Sequence, residues 1–202
     1  MSLLVESIRS ENGKLLNISF HNERMISSLS AIFGLKKDFD LEKLITIPES
    51  AKYGVFKCRV EYDREVTKVE FTPYIIKVIR TLKIVEDNTI EYSHKFVDRK
   101  EIAELYSMRG NADDILIIKK GMVTDTSYSN VVFRDQKGNW VTPSTYLLPG
   151  TKRASLLNSG ILKETSITYR DISKYTEMKL INAMIGIEDS EGIPVGNIYL
   201  VS

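Results

Sequence analysis

Between Gly121 and Phe133 the chain reads Gly-Met-Val-Thr-Asp-Thr-Ser-Tyr-Ser-Asn-Val-Val-Phe. An apolar strand starts at a glycine turn, is broken by small polar residues, and resumes. A buried or half-buried strand wants apolar residues in alternation or in a short run. Thr126 to Asn130 supplies hydroxyls and an amide instead, with the carboxylate of Asp125 just ahead. Each such group costs about 1–3 kcal/mol if buried without a partner. The segment is therefore either a surface turn rich in Ser and Thr or the wall of a site for a polar ligand. Both readings are open on these residues alone.

The rest of the composition narrows the classes. At 202 residues, 43% hydrophobic and 27% charged, the chain suits one large folded domain or two small ones. Its 28 basic and 27 acidic residues balance, which gives no footprint for nucleic acid or a polybasic membrane patch. The single cysteine, Cys58, excludes an intramolecular disulfide and a multi-cysteine metal centre. His21 and His94 are too few for a histidine-rich metal site, so no metal is expected. The opening Met1-Ser2-Leu3-Leu4-Val5-Glu6 meets a carboxylate too early for a signal-peptide core. No apolar run reaches the roughly 18 residues of a membrane helix. A soluble cytoplasmic protein is expected.

Asn12-Gly13 between Leu3–Ile8 and Leu15–Phe20 predicts a hairpin, because both residues tolerate positive φ. A helix follows from His21 to Phe33, with Met25, Ile26, Leu29 and Ile32 at helical spacing and Gly34 as C-cap. A short helix is expected near Leu41–Ile45, and a second hairpin from Val55–Tyr62 and Val66–Tyr74, turning at Asp63-Arg64. Ile75–Ile84 reads as further strand. Glu86-Asp87-Asn88 is the most polar break in this half and is taken as the linker, giving domains of residues 1–86 and 89–202. Beyond it come a helix at Arg99–Met108, a core strand at Asp114–Ile118, a helix from Pro149-Gly150 to about Ser159, and strands at Ile161–Tyr169, Met178–Ile187 and Asn197–Val201.

One ligand would unite three otherwise unrelated features. Pyridoxal phosphate needs a lysine for a Schiff base and a carboxylate to keep its pyridine nitrogen protonated. It also needs a phosphate cup of an arginine and backbone N–H groups at a helix start. The chain offers Lys95 in Tyr92-Ser93-His94-Lys95, Asp125 in the broken strand, and Leu148-Pro149-Gly150-Thr151-Lys152-Arg153 at a helix start.

In this order the motifs resemble the class IV aminotransferase family. Val5-Glu6-Ser7-Ile8-Arg9 with Asn12-Gly13-Lys14 is similar to its opening hairpin. His21-Asn22-Glu23-Arg24-Met25 is similar to its His-x-x-Arg-Leu helix start. Thr124-Asp125 through Asn130 and Val-Val-Phe resembles its acidic residue, small polar run and apolar strand. Thr142-Pro143 and Leu148-Pro149-Gly150 resemble its Thr-Pro and Leu-Pro-Gly-x-x-Arg elements. The resemblance implies an α+β chain of two small α/β domains, the D-amino-acid-aminotransferase-like fold known as fold type IV. It implies pyridoxal phosphate as cofactor and a homodimer whose partner completes the pocket.

By that resemblance Lys95 is the Schiff-base lysine and proton shuttle, against the plain alternative of an exposed strand lysine. Arg24 takes the phosphate-binding position, against a solvated helix charge. Asp125 stands where the family usually has Glu; being a methylene shorter, it requires a shift of the ring or a bridging water. Thr151 and Lys152 offer backbone N–H groups to the phosphate, although Pro-Gly would start a helix in any case. Arg59 is a candidate for a substrate carboxylate, against simple solvation. His21 is expected to order the helix start, His94 to point away from Lys95, and Trp140 to be core.

The family comprises branched-chain transaminases, D-amino-acid transaminases and aminodeoxychorismate lyases. The branched-chain tyrosine five positions after the lysine is Lys100 here. Lys95-Phe-Val-Asp-Arg99 resembles the lyase Lys-x-x-x-Arg, which makes Arg99 a second substrate-binding candidate. Asn182-Ala183-Met184-Ile185-Gly186 resembles the lyase Asn-Ser-Leu-x-Gly, with Ala183 in place of a phosphate-holding hydroxyl residue, and Ile193-Pro194-Val195 its closing element. The favoured reaction is release of pyruvate from aminodeoxychorismate to give 4-aminobenzoate for folate synthesis. The substrate is a small molecule bearing a carboxylate and an amine. An amino-acid transaminase and a cofactor-binding dimeric scaffold without turnover are the alternatives. The hairpin begins almost at the first residue, where family members carry a further segment, so a shorter small domain and a more open pocket are expected.

Overall fold

A computed structural model describes residues 3–200. The chain divides into two compact units: one runs through Ile75 and includes His94–Asp98, the other comprises Ile76–Ser93 and the chain from Arg99 onward.

In the first unit, β1 (Leu4–Glu11) turns at Asn12-Gly13 into the two-residue β2 (Lys14–Leu15). Both turn residues have positive φ, 49° and 77°, as the sequence predicts for a two-residue hairpin loop. The second arm is shorter than Leu15–Phe20 suggests. The helix α1 (Ile18–Phe33) begins three residues before His21 and takes over the end of that run. Gly34 closes α1 at φ 67°, with its N–H on the Ser30 carbonyl, the bond of an αL cap. A single turn, α2 (Leu41–Leu44), precedes β3 (Val55–Tyr62) and β4 (Val66–Pro73). The sheet order is β2-β1-β3-β4, all antiparallel. Residues 4, 6 and 8 of β1 lie opposite 62, 60 and 58 of β3. Period two then puts one row, Leu4, Ile8, Cys58, Val60 and Tyr62, into a core with Met25 and Leu29 of α1.

The second unit starts with β5 (Leu82–Glu86), preceded by an irregular stretch in place of the expected strand. Helix α3 (Lys100–Ser107) leads into β6 (Asp114–Lys119). β5 and β6 are parallel, which requires such a crossover. Ile115 to Ile118 are all buried, the mark of a strand covered on both faces. Then come β7 (Met122–Thr126), β8 (Asn130–Arg134), β9 (Trp140–Pro143), α4 (Thr151–Asn158) and β10 (Lys163–Thr165). The chain closes with β11 (Glu177–Ile181), β12 (Ile193–Pro194) and β13 (Ile198–Tyr199). The sheet order is β10-β9-β8-β7-β6-β5-β13, with β11 on β8 and β12 on β11. One face buries Leu116, Ile118, Val131, Phe133, Met178 and Leu180. Against Val132 and Ile181 pack Leu156, Leu157 and a half-buried Trp140. The final residue of the expected Asn197–Val201 strand lies outside the described residues. Among the described residues no helix is long and apolar enough to cross a membrane.

The domain boundary falls elsewhere than the polar break. Asp87 accepts bonds from the Thr89 and Ile90 N–H groups and from the Thr89 hydroxyl, so residues 86–90 form a turn inside the second unit. The chain passes between units at the apolar Ile75-Ile76. Local polarity reports a turn here; which contacts a segment makes decides its unit.

Candidate active site

The candidate residues fall into two sets, one in each unit. In the first, Glu6 on β1 is fully buried. Helix α1 brings His21 and Arg24, one turn apart and so on one face, onto this carboxylate. Arg24 donates Nε–H to Oε1 at 2.9 Å and Nη2–H to Oε2 at 2.5 Å. His21 Nδ1 lies 2.6 Å from Oε2. Burial would raise the Glu6 pKa, but the Arg24 charge and the hydrogen bonds from His21 and Arg24 outweigh it and hold the carboxyl well below its usual range. Burial lowers His21, and the Arg24 and Lys95 charges add to that against the pull of Glu6. His21 is therefore neutral at pH 7 and donates its Nδ1–H to Glu6. This buried bond ties the first turn of α1 to β1.

Residues His94–Asp98 join the free edge of β1: Val5 N–H donates to the Lys95 carbonyl at 2.9 Å and Val97 N–H to the Leu3 carbonyl at 2.9 Å. Phe96 pairs with Leu4 and packs in the same core, and His94 Nδ1 lies 3.2 Å from Ser28 Oγ of α1. The Phe96 N–H bonds back to the His94 carbonyl at 3.0 Å, so Lys95 sits at the centre of a tight turn rather than in a regular strand, and its charge is near enough to act on His21. Arg59 lies on the sheet face away from the α1 core, between the buried Cys58 and Val60. Its Nε and Nη2 both donate to Glu61 Oε1, at 3.0 and 2.6 Å.

In the second unit the broken strand is a fork. β8 pairs with β7 at a single position, Asp125 opposite Asn130, and further along the same strand with β9. The residues of the break largely satisfy one another. Thr126 Oγ1 accepts the Ser129 N–H at 3.1 Å, and Thr124 Oγ1 donates to the Ile117 carbonyl at 2.8 Å. Arg99 Nη2 donates to the Ser127 carbonyl, and its guanidinium lies 5.9 Å from the Tyr92 ring centroid. Thr126 Oγ1 thus serves the turn, while the Thr124 and Ser129 hydroxyls bond outside it, to Ile117 and Asn182. Asp125 Oδ2 accepts the N–H groups of Leu147 and Leu148, both at 3.0 Å, and Oδ1 accepts Asn130 Nδ2 at 2.8 Å. Burial nevertheless dominates and pushes its pKa up to about 6.

Asn130 also donates to the Leu148 carbonyl at 3.0 Å. It approaches Gly150 so closely that a Cβ there would sit 1.8 Å from its Oδ1. Gly150 precedes α4 without a capping side chain, and Thr151, buried, and Lys152 form its first turn. Arg153 turns away to bind the Pro143 carbonyl and Glu164 at 2.9 and 2.5 Å, tying α4 to β9 and β10. Asn182 Nδ2 donates to Ser129 Oγ at 2.8 Å, and its Oδ1 accepts the Met184 N–H. Asn130, Gly150 and Asn182 stand in quoted motifs, but their roles become visible only when strands and turns distant in sequence meet. Glu6 gives no sequence signal beyond a charge at a strand position that proves to be buried.

The second-unit residues have the chemistry that the ring nitrogen and phosphate of pyridoxal phosphate need. Asp125 has three donors on a group with about four acceptor positions, so it can take one more, such as a protonated ring nitrogen. The N-terminal turn of α4, which starts at a glycine, suits a phosphate. Arg24 and Lys95 share the first unit; Asp125, Thr151, Lys152 and Arg99 share the second.

Residues 3–189 match the family model of class IV amino-transferases. Over 186 residues the chain is 41% identical to an uncharacterized protein of Haemophilus influenzae (strain ATCC 51907 / DSM 11121 / KW20 / Rd), covering 91% of this chain and 98% of the relative. A crystal structure from Haemophilus somnus 129pt, provisionally assigned as a 4-amino-4-deoxychorismate lyase, matches with a TM-score of 0.86 at 37% identity over 93% of this chain and 98% of its own. The pyridoxal-phosphate-bound form of a hypothetical aminotransferase from Mycobacterium tuberculosis gives 0.76 at 15% identity, covering 98% and 81%; that likeness is one of fold.

Proposed function

The chain belongs to the class IV aminotransferase family and has its type IV fold, and on that premise we propose that it is a pyridoxal-phosphate-dependent lyase. It converts 4-amino-4-deoxychorismate to 4-aminobenzoate and pyruvate. The observation that carries the cofactor half is the buried Asp125, oriented by two backbone N–H groups and Asn130. The likeness to the provisionally assigned lyase supports the reaction, as does the spacing from Lys95 to Arg99. A cytoplasmic setting goes with this reading, since a lone buried cysteine suits a reducing compartment.

The bound cofactor would supply an electron sink for a carbanion next to the substrate nitrogen. Lys95 would hold the cofactor, and its Nζ would take a proton from the substrate carbon and return one to the departing three-carbon unit. Asp125 keeps the ring nitrogen protonated through a charge-assisted hydrogen bond. Arg24 and the Thr151 and Lys152 N–H groups hold the phosphate. Arg59 or Arg99 receives a substrate carboxylate, each exchanging part of its present bonding, with Glu61 and Ser127 respectively, for the substrate. A homodimer belongs to this proposal, the partner shielding the cofactor from water. The exposed Tyr53 and Ile75 of the first unit and Val78 and Ile161 of the second are apolar surface that a partner would cover.

The test is pyruvate release by the cofactor-loaded protein from aminodeoxychorismate with no 2-oxo acid added. Turnover only with a 2-oxo acid would make it a transaminase. A coloured protein with neither activity would make it a scaffold, and one that stays colourless with pyridoxal phosphate would remove the cofactor.

A further inference from the structure

Glu6 is the most completely buried charged group in the first unit, at 0% exposure, and the reaction as proposed does not use it. Its two oxygens take the Nε–H and an Nη2–H of Arg24, and one of them also takes the Nδ1–H of His21. Arg24 is itself only 9% exposed. A guanidinium is planar and rigid, so two bonds to one carboxylate fix the plane of the whole fork. With His21 neutral, Glu6 also cancels the Arg24 charge locally. We propose that Glu6 is a positioning residue that clamps Arg24, so that Arg24 meets a phosphate as a fixed set of donors rather than as a free cation. The inference rests on the assignment of Arg24 to the cofactor phosphate.

Two physical effects of Glu6 on a phosphate oppose each other, which makes the proposal sharp. As a charge it repels the phosphate, and neutralising it should tighten binding. As a clamp it prepays the ordering of a long side chain, and loosening it should weaken binding. The bidentate geometry and the burial favour the clamp. Outer-shell residues that orient metal ligands typically matter by about 10–100-fold, and by analogy a loss in that range is expected for Glu6→Gln.

The experiment measures dissociation constants of pyridoxal phosphate and of pyridoxal, which lacks the phosphate, for the cofactor-free wild type, Glu6→Gln, Arg24→Ala and the double variant. Circular dichroism serves as the check of folding. Glu6→Gln should weaken pyridoxal phosphate at least tenfold and leave pyridoxal unchanged. It should add nothing in the Arg24→Ala background. Unchanged or tighter binding of pyridoxal phosphate by Glu6→Gln overturns the clamp, as does an equal loss for pyridoxal. Should Glu6→Gln not fold, wild-type NMR decides: a clamped Arg24 gives a slowly exchanging Nε–H signal before and after addition of inorganic phosphate, and rapid exchange in the free protein refutes the proposal. A wild type that binds pyridoxal as well as pyridoxal phosphate would sink the assignment of Arg24 itself, a different failure.

Discussion

Replacing Asp125 with Asn removes an ionisation that folding makes costly, and the cost can be read as a function of pH. The carboxyl titrates at about 6 in the folded protein against its ordinary 3.8, a gap of roughly two pH units, which at 1.36 kcal/mol per unit is about 3 kcal/mol. The side chain is 5% exposed, so water screens little of this. Because the folded value is the higher one, the folded state binds the proton more tightly. The contribution of Asp125 to stability is complete well below pH 3.8 and is lost as pH rises through 6. Asn has no such ionisation, and its mismatch with Asn130 is a constant offset. Urea unfolding of the cofactor-free wild type and Asp125→Asn should therefore show a stability difference that moves against the wild type by about 2.4 kcal/mol between pH 4 and pH 7.5. Glu6 behaves oppositely, since its carboxyl is held below the ordinary range and its stabilisation is lost as pH falls below about 4.5. Both proteins share that loss, so it cancels. A difference that stays flat with pH refutes the assignment of burial as the dominant effect. Added pyridoxal phosphate supplies a cation beside the carboxylate, and the Asp125 midpoint, followed by carbon-13 NMR, should then fall; a midpoint left near 6 would deny the contact with the ring nitrogen.

Borohydride reduction of the loaded protein should fix the cofactor on Lys95 by peptide mapping, and an adduct on another lysine would reject that role. Gly150→Ala puts a Cβ 1.8 Å from Asn130 Oδ1 and should cost about 2–4 kcal/mol through overpacking and the loss of Asn130 hydrogen bonds; an unchanged Tm would count against the close approach. Arg59→Ala breaks a pair that is about one-third exposed on the arginine side, so stability should change by less than about 1 kcal/mol while KM rises; an unaltered KM removes Arg59 from the substrate. Light scattering at low micromolar concentration should give twice the 23.0 kDa chain mass, and an active monomer would contradict the dimer.

Much of this protein is legible locally. The Asn12-Gly13 turn, the Gly34 cap and the doubly buried β6 follow from residues within a few positions of one another, because backbone sterics and strand or helix periodicity act at that range. The ordered motifs around Arg24, Lys95, Asp125 and Leu148-Pro149-Gly150 were likewise visible in the amino-acid sequence, and they pointed to the family. Other features belong to the tertiary structure. Residues 94–98 return to the first unit because β1 has a free edge there, a fact that no property of His94-Lys95-Phe96 reveals. Glu6 reads as an ordinary strand charge until α1 lays His21 and Arg24 over it. The polar run after Asp125 looks like a ligand wall, yet much of it bonds within the turn and to Arg99, Leu148 and Asn182. The carboxylate stands apart because Leu147, Leu148 and Asn130 arrive from elsewhere in the chain. Burial and hydrogen-bond partners are sums over neighbours distant in sequence, so the roles of Glu6 and Asp125 are decided only when the chain has folded.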